Sequence, residues 1–328
     1  MLGRLDAVKV SRKTEQSLQR LTIYQQVISP LVAYRLRSNL QSHMVQAYTI
    51  ATGRSFESTP ETVRGATFDL VPFLNDYPCH DHKTPTQDFL VWFIGFFEAD
   101  GCLSFKKNLR PLHFVIRQKD PKVLYYIRNH LGFGHIYHDT DGYYSFRVYK
   151  QQHTGLLVKL LNGNLVLQRI KKRYRDLFTC ERSVYPSIQD AWLSGFTQGD
   201  GGFNINISRR DKTRTGYRVR LRYYLDQKEA EKDLSYIASH LIRSGRVRPR
   251  SGDKMYRYTM DTHSTIPLLS YYFQKFPLQG LKHILQVKWF KAYHLIQTKA
   301  HLTEYGLCRI RRIKLSMEEL LKATDTEL

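Results

Sequence analysis

Residues 92–101 read WFIGFFEADG and residues 192–201 read WLSGFTQGDG, so Trp, Gly, Phe, Asp and Gly recur in the same order at a constant offset of 100. An internal repeat fixes the architecture within which every later reading must fit. Downstream of each copy the same elements return. Phe203, Ile205 and Ile207 alternate with Asn204, Asn206 and Ser208, and Leu103 and Phe105 alternate with Ser104 and Lys106. This is the period-two pattern of a strand with one apolar face. A second strand follows, in which Val219, Leu221, Tyr223 and Leu225 alternate with Arg218, Arg220, Arg222 and Tyr224. One face is core and the other cationic. The segments QKDP at 118–121 and QKEA at 227–230 each open a helix with acids near its N-terminus, where the macrodipole favours them. These helices are expected to reach His130 and Ile242. A hairpin is expected around Asp141-Gly142 and again around Gly252-Asp253, with Arg147 and Arg257 at matching places in the returning strands. Further helices close each unit. The resulting fold class is α+β: two αββαββα repeats, each a four-stranded antiparallel sheet with helices on one face.

The repeated segment itself predicts a helix over 89–100, in which Gly95 and Ala99 are four apart and share a stripe, as do Gly195 and Gly199. Small residues at that spacing let two helices cross closely. A helical glycine costs about 1 kcal/mol relative to alanine, and close packing of the two motif helices would offset it. Each helix ends on an aspartate, Asp100 or Asp200, the wrong charge for the negative end of the macrodipole. If the helices meet, the two carboxylates meet, and a proton or a cation must lie between them. Hard divalent ions take such oxygens together with helix-end carbonyls, here those of Ala99 and Gly199, so the expected cofactor is Mg²⁺ or a similar ion such as Mn²⁺. One isolated Asp-Gly would read better as the turn that ends a core helix. Its duplication, with the same helix before and strand after, favours the metal site.

Composition narrows the partner. A chain of 328 residues with 42% hydrophobic content has room for two globular units. Its 51 Lys and Arg against 29 Asp and Glu favour nucleic acid over a small metabolite. Cys79, Cys102, Cys180 and Cys308 are scattered and form no Cys-x-x-Cys pair, which argues against a disulfide framework or a zinc ribbon. The run Cys79, His80, Asp81, His82 fits no common zinc spacing. No apolar stretch reaches the roughly 18 residues of a membrane span, so no membrane partner is expected.

The segments FIGFFEADG (93–101) and LSGFTQGDG (193–201) resemble the two signatures of single-chain LAGLIDADG homing endonucleases. The resemblance spans roughly residues 87 to 300 and extends to LNGN at 161–164 and FPLQG at 276–280. It implies two sheets forming a saddle along the DNA major groove, with the motif helices at a pseudo-twofold interface. It implies that Asp100 and Asp200 bind magnesium and promote hydrolysis of one phosphodiester in each strand. Gln118 and Gln227 match a polar residue that helps order water, a transfer that requires each strand to end just before them. Lys282 resembles the basic residue that stabilises the transition state, with Arg169 as its first-repeat counterpart. Gln198 stands where the first signature has Glu98.

A twisted ribbon in the major groove presents alternate side chains to base edges. The candidate DNA-contacting residues are Ser104, Lys106, His113, Arg117 and Arg147 in the first repeat, and Asn204, Asn206, Arg218, Arg220, Arg222 and Arg257 in the second. Because the repeats differ at these positions, the expected target is a long, weakly palindromic duplex cut by a monomer. Two other readings use the same scaffold: a maturase acting on its own intron RNA, and a non-catalytic nucleic-acid-binding protein. The expected organisation is an N-terminal extension at 1–85, repeats at 86–180 and 188–310 joined by a linker at 181–187, and a packing tail at 311–328. Through residue 55 the extension carries eight Lys or Arg against two Asp or Glu, with an amphipathic stretch from Leu21 to Leu40. That suits an organelle transit peptide, the translated tail of an upstream exon or an arm on DNA. The expected location is an organelle, with the mitochondrion ahead of the chloroplast.

Overall fold

The structure is a computed structural model that describes residues 67–78, 83–106, 109–250 and 254–326. The Leu21 to Leu40 stretch, the Cys79 to His82 run, the Gly252-Asp253 turn and the Lys106 side chain lie outside what it describes.

A short helix α1 (Val71–Asp76) comes first. The motif helix α2 (Gln87–Asp100) follows, capped by Thr86, whose side chain accepts the Phe89 N–H at 3.3 Å. Then come β1 (Gly101–Lys106), β2 (Leu109–Gln118), α3 (Lys122–Leu131), β3 (His135–His138) and β4 (Tyr144–Val148). Helices α4 (Gln151–Leu161) and α5 (Gln168–Arg173) close the first repeat. The second repeats the order with α6 (Trp192–Asp200), β5 (Gly201–Arg209), β6 (Tyr217–Lys228) and α7 (Glu231–Tyr236), which continues as a π turn to Leu241. It ends with β7 (Arg246–Pro249), β8 (Met255–Met260), α8 (Ile266–Lys275) and α9 (Gly280–Gln297), and α10 (Glu304–Thr326) follows. The two sheets have the same antiparallel topology, β1-β2-β4-β3 and β5-β6-β8-β7. The fold is the expected pair of αββαββα repeats, each with one further helix, short in the first (α5) and long in the second (α9).

Every residue of α2 from Phe89 to Glu98 is buried, as is every residue of α6 from Trp192 to Gln198. A helix enclosed on all sides belongs at a centre. The two pack against each other at their glycines. A Cβ added to Gly95 would lie 2.2 Å from the Trp192 carbonyl oxygen, and one added to Gly195 would lie 1.8 Å from that of Trp92. The helices therefore touch backbone to backbone, as the small-residue spacing predicts.

Two segments expected outside the repeats pack on them. Phe73 of α1 is fully buried, the Tyr77 hydroxyl donates to the Leu131 carbonyl at 3.0 Å, and the Asp69 N–H donates to Asn164 Oδ1 at 2.7 Å. In α10, Leu307, Ile310 and Met317 are buried, and the helix runs unbroken through the 310/311 position expected as a boundary. Between α5 and α6 the chain forms no helix and only an isolated bridge at Val184.

Glu98 ties this centre together. Its Oε1 accepts the N–H groups of Val166 (2.8 Å) and Leu167 (2.7 Å), and its Oε2 accepts Trp192 Nε1 at 2.7 Å. Burial outweighs these three bonds and pushes its pKa up to about 7. Its counterpart Gln198 instead brackets one residue's backbone, accepting the Gln279 N–H at 2.8 Å and donating to the Gln279 carbonyl at 3.3 Å. The folded state thus holds a proton on Glu98 that the unfolded chain releases above pH 4.5, so this group's contribution to stability falls as pH rises from about 4.5 to 7. At 1.36 kcal/mol per unit the loss is roughly 3 kcal/mol. Urea unfolding between pH 5 and pH 8 is expected to fall more steeply for the wild type than for Glu98→Gln; parallel curves would refute the raised pKa.

Candidate active site and nucleic-acid face

Because α2 and α6 cross at their glycines, their C-terminal ends converge. A Cβ on Gly199 would meet Ala99 Cβ at 2.4 Å and Asp100 Oδ2 at 2.7 Å, so the Asp100 carboxylate lies against the backbone of the opposite motif helix. Gln118 Nε2 donates to Asp100 Oδ2 at 2.7 Å, and Gln227 Nε2 donates to Asp200 Oδ2. The condition placed on these glutamines is corrected: β2 includes Gln118 and β6 runs on to Lys228. Both point toward the helices like Ile116 and Leu225 before them, and that is the face on which the motif helices end. Strand parity brings the amides to the carboxylates.

Lys282 and Arg169 join this group. Lys282 Nζ donates to the Gly199 carbonyl at 2.8 Å, and Arg169 Nη2 donates to Gln227 Oε1 at 2.9 Å. The two occupy equivalent places. The N–H preceding Lys282, that of Leu281, donates to Asp120 at 2.8 Å, and the N–H preceding Arg169, that of Gln168, donates to Asp233 at 3.2 Å. Each repeat thus docks its closing helix on an acid at the start of the other repeat's mid-sheet helix, Asp120 just before α3 and Asp233 in the first turn of α7. The Gly199 carbonyl, expected as a metal ligand, here accepts an ammonium, because an unsatisfied helix-end carbonyl attracts the nearest cation.

Burial raises Asp100 above the usual carboxylate range, and burial together with the Asp100 charge pushes Asp200 up to about 8. Lys282 pulls both down, and Arg169 also pulls down Asp200. Burial in turn lowers the Lys282 ammonium against the pull of the two acids. Two desolvated, mutually repelling carboxylates require compensating positive charge to ionise together, and a divalent cation fits that requirement. Among the described residues no set of three or more His, Cys, Asp or Glu side chains assembles elsewhere into a metal cluster.

The sheet faces turned away from the helices carry most of the candidate contact residues. In sheet 2, Asn204 pairs with Arg222, Asn206 with Arg220 and Ser208 with Arg218, while Phe203, Ile205, Leu221 and Tyr223 fill the core behind them. None of these three arginines is ion-paired among the described residues, and Arg220 Nε is buried without a partner. In sheet 1, Ser104 pairs with His113, and Arg117 and Arg147 lie on the same face.

The arginines near the Gln ends of the strands are held by acids that sequence reasoning missed. Arg117 reaches Asp141 at 2.5 Å and Asp139 at 3.2 Å, and Arg147 reaches Asp139 at 2.5 Å. Arg257 makes two bonds of 2.6 Å to Asp226, which Arg250 also reaches at 2.9 Å. Arg147 and Arg257 do not match. Gln118 pairs with Tyr144 and Gln227 with Tyr256, so the counterpart of Arg257 is Ser145 and that of Arg147 is Thr259. The same register makes Arg117 equivalent to Asp226 and Asp139 equivalent to Arg250. The two repeats carry one ion pair with its charges exchanged. Arg246 and Arg248, which alternate with Val247 on the edge strand β7, were also missed, although the alternation that reveals β6 is present there.

Comparison with known proteins agrees with this arrangement. The chain is 31% identical over 243 residues to Probable intron-encoded endonuclease 4 of Neurospora crassa, an alignment covering 69% of this chain and 44% of that protein. It is 28% identical over 247 residues to the Uncharacterized cox1 intron-2 37.2 kDa protein of Schizosaccharomyces pombe, covering 70% and 74%. Among solved structures it resembles the LAGLIDADG meganuclease I-AabMI bound to uncleaved DNA, with a TM-score of 0.59 at 24% identity over 70% of this chain and 98% of that one. It also resembles I-SmaMI bound to an uncleaved DNA target in the presence of calcium ions, with a TM-score of 0.55 at 20% identity over 70% and 98%. The sequence model of the LAGLIDADG endonuclease family matches residues 93–180 and again 193–293, one motif helix and one sheet in each match. With both repeats accounted for, more than half of its length matched and the expected acid at the end of each motif helix, the chain belongs to the LAGLIDADG endonuclease family.

Proposed function

We propose that the chain is a site-specific endonuclease that hydrolyses one phosphodiester in each strand of duplex DNA, at a centre formed by Asp100 and Asp200. The observation that carries this reading is the meeting of two desolvated carboxylates at the seam of two basic, uncovered sheets. A relative named as an intron-encoded endonuclease and DNA-bound structural neighbours support it. Residues 86–180 and 188–310 serve as the two halves of one monomer.

Asp100 and Asp200 would hold the divalent ion, magnesium or manganese. Bound there, the ion activates water and neutralises charge developing on the phosphate and the leaving oxygen. Gln118 and Gln227 each fix one carboxylate oxygen, and the second accepts no hydrogen bond among the described residues. Lys282 and Arg169 supply positive charge beside the acids, where the transition state gains it. The unpaired arginines on β6, with Asn204 and Asn206, read base edges, and the exchanged ion pairs make the two half-sites unlike. The target is therefore long and weakly palindromic. An organelle, the mitochondrion first, is the natural setting, supported by the relative named for a cox1 intron.

Purified protein with magnesium is expected to cut duplex DNA spanning the uninterrupted insertion junction of its host gene. Binding of that duplex without cleavage in magnesium or manganese would overturn the assignment, and tighter binding of the intron RNA would point to a maturase. Because the site's carboxylates are protonated more readily than ordinary ones, ion binding must expel a proton. Calorimetry in buffers of different ionisation enthalpy is expected to show about one proton released near pH 7, with affinity rising as pH rises. Affinity independent of pH would refute the coupling.

A further inference from the structure

At the corner of sheet 1 farthest from the aspartates, α3, β3, β4 and the start of α4 enclose an open cavity of about 650 Å³. Arg128, His135, Lys150 and His153 line it together with Tyr137 and Tyr149, and no acid does. Arg128 and Lys150 are exposed, and neither makes an ion pair among the described residues. The cavity joins the uncovered face of the sheet. The Tyr149 ring lies 5.8 Å from that of His113, Arg147 donates to the Tyr149 hydroxyl at 3.4 Å, and its guanidinium sits 5.1 Å over the Tyr137 ring.

The ladder gives its distance from the centre. Gln118 pairs with Tyr144 at the aspartate end and Phe114 with Val148 at the other, so the cavity begins about four residues, or roughly 14 Å, farther out. At 3.4 Å per nucleotide step that is about four base pairs beyond the centre-proximal contacts. The second repeat offers an internal control. By the same register His135 corresponds to Arg246 and Tyr149 to Asp261, and there Arg246 and Asp261 form an ion pair at 3.2 Å. Arg246 on that side is engaged within the protein, whereas Arg128 and Lys150 of the first repeat make no ion pair among the described residues.

We propose that this corner is a seat for the phosphodiester backbone of duplex DNA, extending the contact of the first repeat past the end of its sheet. The proposal rests on the DNA-binding reading above. Exposed cations without fixed, buried donors suit phosphates rather than base edges, and the tyrosines offer hydroxyl donors and flat surfaces for sugars.

The test uses the full chain and a duplex enriched on it from a randomised pool, then shortened by about four base pairs from one end or the other. Wild-type affinity is expected to drop about tenfold when one particular end is removed. Arg128→Glu/Lys150→Glu, checked for an unchanged melting temperature, is expected to bind the long duplex about tenfold more weakly, with a salt slope shallower by about 2. It is expected to lose nothing further on shortening. The milder Arg128→Gln/Lys150→Gln should give the same pattern at smaller amplitude. Equal weakening on long and short duplexes, or no weakening, would overturn the proposal. So would a loss confined to single-stranded RNA of the same sequence, or to inorganic phosphate. If the enriched duplex is bound but never cut, the endonuclease reading fails while the backbone seat stands; if the pool yields no duplex, both fall.

Discussion

Asp200→Asn is expected to bind the target duplex as the wild type does and to lose cleavage by about 10³-fold or more. The size follows from the work assigned to the site, since an ion that activates water and stabilises developing charge supplies several kcal/mol and each 1.36 kcal/mol is tenfold in rate. Binding is expected to be spared because the residues proposed to contact DNA, Arg218, Arg220 and Arg222, lie on strand β6 away from the helix ends. The variant also removes one of two carboxylates that burial and mutual repulsion hold above the usual range. Without metal its melting temperature should equal or exceed that of the wild type. Gel-shift and cleavage assays on one duplex, with melting curves in chelator, check all three expectations. Normal cleavage by Asp200→Asn would remove the metal site from the mechanism.

The centre of this molecule was legible because repetition and parity are local properties of a chain. Two copies of a glycine-bearing helix ending in Asp announce their own interface, and alternation assigns Asn204, Arg220 and Arg222 to one face whatever the third dimension does. Arg169 was reached through the family resemblance, and the pairing of the two closing helices with Asp120 and Asp233 gives it the same place as Lys282. What stayed hidden depends on long-range register. Matching the hairpins on their turn glycines puts Arg147 opposite Arg257, whereas the ladders place them two residues apart. That slip also conceals the acids, because alternation states which face Arg117 occupies but not that Asp139 and Asp141 reach it across the hairpin. Glu98 was hidden differently. Its acceptors are satisfied by Val166, Leu167 and Trp192, far away in sequence, so nothing nearby distinguishes it from an ordinary helical glutamate.

Gly195→Ala is expected to destabilise the protein by about 2 kcal/mol and to reduce cleavage by about 10²-fold even under conditions where the variant is fully folded. Alanine should gain about 1 kcal/mol in helix propensity over glycine, so the sign is decided by packing. The added Cβ would stand 1.8 Å from the Trp92 carbonyl oxygen and 2.9 Å from the Phe96 nitrogen. Both are backbone atoms of a buried helix, and neither can yield as a side-chain tip would, so α2 and α6 must separate. Overpacking of this kind costs roughly 1–3 kcal/mol. The same separation moves Asp200 away from Asp100, and a displacement of about 1 Å at a reacting centre is worth about 10²-fold in rate. Gly155→Ala is the control, since a Cβ at that position on α4 meets nothing within 4 Å and should be neutral or mildly stabilising. Urea unfolding and single-turnover cleavage of both variants distinguish the cases. If Gly195→Ala proves as harmless as Gly155→Ala, the helices are not in backbone contact, and the convergence of the two aspartates loses its physical cause.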